Sequence, residues 1–303
     1  MTIKYNTSAR LFLLLLFFVH CKGKPEVIKE QPNVPNEVIQ EEKKNTIIRI
    51  PHYYLQVMNE ETTKWIQSIV SEDSIKVLMA LNRVEKRHLL QLDTLVLTDT
   101  FSVDINYFSP FPLTNKAIED IHKIIIYSYP LQAFAAYENG TLVRWGPVSM
   151  GKQTTPTPTG LFHTNWKAKQ TVGTVNEEWI MNWYFNLDNF DGVSMHEYNL
   201  PGFPASHSCV RLLTDDAFWF YNWAEQWILS GNTAIVAYGT PVVIYGDYPF
   251  VKRIPWREID AFGNGVIISD DELQKEVNDF IPLIIQRQEV RDSVISLNIK
   301  TPI

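Results

Sequence analysis

Cysteine is scarce in this chain, with Cys21 and Cys209 the only two in 303 residues. Once the N-terminal stretch is processed Cys209 has no partner, which excludes an intramolecular disulfide and leaves one thiol free. Basic residues are outnumbered, 27 Lys and Arg against 34 Asp and Glu for a net charge of −7, and no basic run occurs. That balance argues against nucleic acid or an anionic membrane surface as the main partner. Zinc-type spacings are missing as well: there is no CxxC, HxH or HExxH, so no metal and no cofactor is expected. The apolar run LFLLLLFFV at residues 11–19 is nine residues long, far short of the ~20 that span a bilayer.

That short run has another use. It follows Lys4 and Arg10 and ends just before Cys21, the layout of a signal-peptide apolar region. The placement resembles a bacterial lipoprotein signal, which implies that residues 1–21 are a signal and that Cys21 is the lipidated first residue of the mature protein. The protein is then expected to be exported to the cell envelope or periplasm as a membrane-anchored lipoprotein, touching the membrane only through that anchor. Residues 22–46, rich in Lys, Glu, Pro and Asn, are too poor in apolar residues to pack and read as a tether. The remainder, in a chain that is 45% apolar and 13% aromatic, has the composition of one large domain plus a small one.

The stretch HEYNLPGFPASHSCVR at residues 196–211 carries the chemistry. A free thiol titrates near ~8.5, so Cys209 needs an imidazole to take its proton at neutral pH. His196 and His207 both lie within reach in sequence, and a Cys-His pair is an activated nucleophile. A small buried hydrophobe is the commoner fate of a lone cysteine, but Ser206, His207, Ser208 and Arg211 make this one's surroundings polar. The run resembles the signature of the L,D-transpeptidase family of YkuD type: an upstream histidine, then Ser/Thr-His-Gly-Cys, then Asn or Arg. His196, Ser206, His207, Cys209 and Arg211 match it, and Ser208 stands in place of the glycine. A glycine there is free to take φ > 0, whereas serine is sterically strained in that conformation.

The resemblance implies a cysteine acyltransferase. Cys209 is the nucleophile and His196 the base, with His207 its rival. Backbone N–H groups around Ser208 and Cys209 form the oxyanion site, and Ser206, His207 and Arg211 contact oxyanion or substrate. Such an enzyme cuts the bond after the penultimate residue of a peptidoglycan stem tetrapeptide, releases D-alanine, and passes the acyl group to an amine. The alternatives are hydrolysis by the same site, as an L,D-carboxypeptidase or amidase, and a non-catalytic peptidoglycan-binding lipoprotein. An orienter for His196 is open among Glu197, Asp191 and a backbone carbonyl. Trp166, Trp179, Trp183 and Tyr184 could wall a cleft for a sugar-peptide, but aromatic residues in strands are more often core, and they are left out of the site.

Periodicity sets the frame. Residues 47–100 read as strand, two helices and strand, an order similar to a LysM peptidoglycan-binding module. Residues 101–114, with Pro110 and Pro112, read as a linker. Residues 115–250 are expected to form the catalytic domain, mainly β with α, a β-sandwich or mixed sheet. Its features are a hairpin at Asn139-Gly140, a Pro-rigid TTPTPTG loop at residues 154–160, and a helix capped by Thr214 and stopped by Gly231. Residues 251–303 form an extension whose helix is announced by the Ser269/Glu272 capping box.

Overall fold

The protein, seen in a computed structural model, is described at residues 51–69, 71–101, 104–173, 178–231, 233–250 and 254–299. The signal, tether and lipidated-cysteine expectations at residues 1–46 lie outside the described residues. Residues 51–100 take the expected order: β1 (Tyr53–Val57), α1 (Glu60–Ser68), α2 (Glu72–Asn82), the single turn α3 (Lys86–Leu89) and β2 (Thr94–Thr98). Asn59 caps α1 by accepting from the Thr62 N–H at 2.8 Å. Acidic pairs occupy the first turns of both longer helices, Glu60 with Glu61 and Glu72 with Asp73, where carboxylates favour the helix dipole. Strands β1 and β2 pair antiparallel, and Ile66, Leu78, Val84, Leu89, Leu95 and Leu97 make a small core beneath them.

Eleven further strands follow: β3 (Ile124–Ser128), β4 (Ala133–Glu138), β5 (Thr141–Ser149), β6 (Gly160–His163), β7 (Lys167–Val172), β8 (Ile180–Asn186), β9 (Ser194–Glu197), β10 (Val210–Leu212), β11 (Ile228–Ser230), β12 (Ala234–Ala237) and β13 (Pro241–Tyr245). Helix α4 (Thr214–Trp223) lies between β10 and β11, and α5 (Asp270–Val277) and α6 (Ile281–Ile299) come last. Nine strands form one mixed sheet in the order β6-β13-β3-β4-β5-β10-β9-β8-β7. Asn139 and Gly140, at φ +46° and +72°, make the β4–β5 turn, as an Asn-Gly pair should. The mixed α+β class expected from the pattern is the class adopted.

Long β5 serves both halves of the sheet, pairing with β4 and, at Val148 and Ser149, with β10. Phe134, Phe185, Val210, Ala217 and Phe220 pack together between the halves and α4, each large side chain contributing about 1.5–3 kcal/mol by burial. Asp216 in the first turn of α4 is buried against Arg144 of β5 at 2.7 Å, which ties the helix behind the cysteine to the central strand.

Residues 101–114 were expected as a linker, and the described part of that stretch packs with the elements on either side of it. Phe108 and Phe111 enter one core with Val77 and Leu81 of α2, Ile124 and Ile126 of β3, and Leu273 and Ile284 of the C-terminal helices, and residues 49–303 form one unit. The prolines of that stretch alternate with aromatic side chains whose burial outweighs the tendency of a Pro-rich segment to stay apart. Helix α4 is also shorter than periodicity suggested, with Leu213 as its cap and its end at Trp223. The Glu225 backbone is bonded on both sides by side chains, Thr164 Oγ1 donating to its carbonyl at 2.5 Å and its N–H donating to Thr240 Oγ1 at 2.9 Å. Those bonds pull the chain out of the helix and into β11.

Candidate active site

Strand register builds one side of the site. In the parallel β9–β10 ladder Val210 faces Met195 and Arg211 faces His196, which sets Cys209 beside Ser194. Side chains two apart share a face, so Ser194, His196, Cys209 and Arg211 all point the same way. They open into a cleft of about 510 Å³, and Trp166, Trp179 and Tyr184 are among its walls.

The half-buried thiol of Cys209 accepts from the Ser194 hydroxyl at 3.1 Å and donates to the Gly192 carbonyl at 3.6 Å. Among the described residues these are its side-chain hydrogen-bond partners, and the His196 ring is not one of them. Burial pushes the thiol above its ordinary value, while the Ser194 hydroxyl and N–H and the Arg211 charge act the other way. The resting group is therefore a thiol, and it needs a base at the moment of attack.

His196 suits that role. It is buried, 5% exposed, and burial pulls its imidazole down to about 4, with the Glu197 bond opposing and Arg211 assisting. Its Nδ1 lies 2.9 Å from the Glu197 carbonyl, so that nitrogen carries the proton and Nε2 keeps a free lone pair. A backbone carbonyl is thus the orienter, and the Glu197 carboxylate instead accepts from Asn182 at 2.8 Å. Tyr184 stacks near the ring, with centroids 6.4 Å apart.

A loop pair builds the other side. Ser206 is buried, and its hydroxyl donates to the Cys209 carbonyl at 2.5 Å. Its carbonyl accepts from the Lys152 N–H at 3.0 Å, and its own N–H donates to Met150 at 3.0 Å. Thr157, from the Pro-rigid loop, accepts from the Gly151 N–H and donates to the Ser208 carbonyl, both at 2.8 Å. Gly151 allows this approach, because a Cβ there would lie 2.3 Å from the Thr155 carbonyl. Held this way, Ser208 sits at φ +81°, the conformation that favours glycine. No acceptor among the described residues takes the N–H of His207, Ser208 or Cys209, which leaves donors free for an oxyanion.

His207 is exposed, 3.0 Å from Lys152 Nζ, with its ring against Trp179 at 4.7 Å. What burial it has, with the Lys152 and Arg211 charges, holds it below the ordinary imidazole value. Arg211 donates to Asn199 at 3.0 Å and lies 4.6 Å over the Tyr198 ring. The six expected residues of the catalytic domain thus come together, and Cys21 lies outside the described residues. Among the described residues no group of three or more His, Cys, Asp or Glu is placed to hold a metal.

Sequence reasoning passed over Ser194, Thr157 and Lys152, and set the aromatic wall aside as strand core. A bulge in β8 explains the wall: Trp183, at φ +50°, is turned onto Phe218 and Tyr221 of α4, while Tyr184 faces the cleft. Bulges beside active sites re-aim side chains in this way. The only sequence signal was the density of aromatics before His196.

Residues 122–244 match the model of the YkuD family, the L,D-transpeptidase catalytic domain. The resemblance read from residues 196–211 is thereby supported from β3 to all but the last residue of β13, while residues 47–100 lie outside the match. L,D-transpeptidase 1 of Mycobacterium tuberculosis is 27% identical over 110 residues, covering 31% of this chain and 44% of that protein. The chain thus spans less than half the length of the curated relative it matches. Among solved structures, an imipenem complex of an L,D-transpeptidase is 22% identical over 41% of this chain and 59% of that one, with a TM-score of 0.33. A Stackebrandtia nassauensis L,D-transpeptidase is 20% identical over 42% and 57%, with a TM-score of 0.35.

Proposed function

We propose that this protein is an L,D-transpeptidase that acts on peptidoglycan stem peptides through a Cys209 acyl-enzyme. The observation that carries the proposal is the β9–β10 register, which lines up a thiol, a hydroxyl and a neutral buried imidazole on one wall of an aromatic cleft. The family match supports it.

In this reading the Cys209 sulfur attacks the carbonyl carbon of the penultimate residue, in the last peptide bond of the tetrapeptide, while its proton passes to His196 Nε2. The oxygen, now an anion, accepts from the unpaired N–H groups of Ser208 and Cys209. Collapse breaks the C–N bond, and His196 returns its proton to the departing D-alanine amine. An acceptor amine then attacks the thioester, gives its proton to His196, and the released sulfur is reprotonated. Ser194 donates a hydrogen bond to the sulfur whenever it carries charge. Arg211 and Lys152 supply positive charge at the cleft for a stem carboxylate.

Mass spectrometry of stem tetrapeptides incubated with the protein tests this directly. Loss of D-alanine with formation of a new amide is expected; loss with water incorporated would make it a carboxypeptidase. No product at all would leave the binding reading. Cys209→Ala should abolish turnover and acylation while leaving the far-ultraviolet spectrum unchanged, and an acyl adduct on that variant would overturn the assignment.

Export and anchoring at Cys21 belong to the same reading, on the strength of the apolar run and the polar tether. A diacyl anchor holds far better than one chain. Cys21→Ser should release the protein from membranes or leave it unprocessed, and unchanged fractionation and mass would remove Cys21 from the account.

A further inference from the structure

A line of polar side chains runs from β8 to the thiol. Asn165 Nδ2 donates to the Leu187 carbonyl at 3.1 Å and to Asn186 Oδ1 at 2.9 Å. Asn186 Nδ2 in turn donates to the Asp188 carbonyl and to the Tyr184 hydroxyl, both at 3.2 Å. The Tyr184 hydroxyl is hydrogen-bonded to Ser194 as well, and the Ser194 hydroxyl reaches the Cys209 sulfur at 3.1 Å. Tyr184, Asn186 and Ser194 are all buried, where a polar group without a partner is costly.

The two ends of the line fix the direction of every bond between them. A carbonyl oxygen can only accept, so Leu187 and Asp188 hold both amides with nitrogen, not oxygen, toward them. Asn186 therefore gives a proton to the Tyr184 hydroxyl, whose own proton is left for Ser194. At the other end the thiol gives its single proton to the Gly192 carbonyl at 3.6 Å, so toward Ser194 the sulfur can only accept. Each hydroxyl accepts one bond and donates the next, and bonds aligned in this way polarise one another.

We propose that Asn186, Tyr184 and Ser194 form a one-way line of hydrogen bonds that aims the Ser194 proton at the Cys209 sulfur and favours the thiolate over the thiol. Ser194 touches the reacting atom, whereas Tyr184 and Asn186 are positioning residues that act through it. A donor aimed at sulfur stabilises the anion more than the neutral thiol. Arg211 also acts on the sulfur by its charge, and His196 shares its face; removing a neutral hydroxyl alters the charge of neither. This role rests on Cys209 being the nucleophile of the proposed acyl transfer, yet it shows in the thiol itself, whatever the substrate.

Iodoacetamide labelling of the full-length protein across pH, read by mass spectrometry on the peptide that carries Cys209, tests the line. Ser194→Ala should raise the midpoint of the pH–rate profile by about one pH unit or more, the worth of a hydrogen bond to a charged group. Tyr184→Phe keeps the ring and should raise it by about 0.3–0.5 pH unit, an about two- to threefold loss of thiolate below the midpoint. In the Ser194→Ala background Tyr184→Phe should add nothing, because the line is already cut. No shift in Ser194→Ala, no shift in Tyr184→Phe, or the same Tyr184→Phe shift with and without the Ser194 hydroxyl would each overturn the proposal, the last by making the tyrosine act on the sulfur independently. These shifts in a protein that releases no D-alanine from stem tetrapeptides would instead refute the proposed function and leave the line standing.

Discussion

The two walls of the cleft are built from different materials. On one side, strands β9 and β10 fix Ser194, His196, Cys209 and Arg211 by register, and their side chains bring a thiol, a hydroxyl, an imidazole and a guanidinium to the cleft. On the other, the loops around Gly151 and Ser206 present backbone N–H groups, and their side chains are occupied in holding that backbone still. Side-chain chemistry on the strand wall should respond to mutation with large changes in rate. The loop wall should respond first in stability and only through it, or through geometry, in rate.

The largest separation between the walls is expected from the histidines. His196→Ala should lower kcat/KM by about 10²–10⁴, the usual worth of a positioned base, whereas exposed His207→Ala should cost far less. Equal losses would move the base to His207 or to a group on neither wall. His196 also predicts a pH response with a definite sign. Its folded value, about 4, lies below the ordinary 6.5, so the unfolded chain binds the extra proton first. The stability this group contributes is fully present above about pH 6.5 and is lost as pH falls through about 4. Activity should likewise fall at acid pH as the buried ring becomes charged. Buried His163, pulled to about 3, adds to the same acid-side loss. Denaturant titrations of wild type and His196→Ala at pH 7 and pH 4.5 check this: the variant should show the shallower decline.

On the loop wall, Thr157→Val removes a hydroxyl that bridges the Gly151 N–H and the Ser208 carbonyl. Two buried backbone groups then lose their partner, a destabilisation of about 1–3 kcal/mol. A fall of about tenfold in kcat should accompany it as Ser208 drifts from its place, since small displacements of catalytic groups are costly. Thr157→Ser should restore both. If Thr157→Val changes neither midpoint nor kcat, the brace is not what holds the oxyanion wall.

The two walls were also unequally legible from sequence. His196, Cys209 and Arg211 lie within 16 residues of chain, and a strand ending at His196 was readable from GVSMHE. The Asn139-Gly140 turn and the Ser269/Glu272 capping box were readable for the same reason: their physics is local. Thr157 and Gly151 are about fifty residues from the loop they brace, and only strand order brings them there. Ser194 was hidden by an ordinary residue type, and Tyr184 by a bulge that breaks the two-residue alternation. The packing of Phe108 and Phe111 was not legible, because proline spacing was weighed above the aromatic side chains beside the prolines.

The smallest expected effect tests the residue at which the chain departs from the YkuD-type signature that residues 196–211 resemble. Ser208 sits at φ +81°, where an L side chain is strained by roughly 1–2 kcal/mol. Ser208→Gly removes that strain but frees the unfolded chain, an opposing effect of about 0.4–1 kcal/mol. The net gain should be at most about 1 kcal/mol, or ~2–4 °C in Tm for a domain of this size. Ser208→Ala keeps the Cβ and should gain nothing. Because the backbone already holds the glycine-like conformation and its N–H meets no acceptor among the described residues, turnover of Ser208→Gly should stay within about threefold of wild type, under 1 kcal/mol in barrier. Activity that appears only in Ser208→Gly would reverse the conclusion. Serine would then be the lesion that turned a transpeptidase scaffold into a binding protein, and the loop wall, not the strand wall, would decide whether this cleft does chemistry.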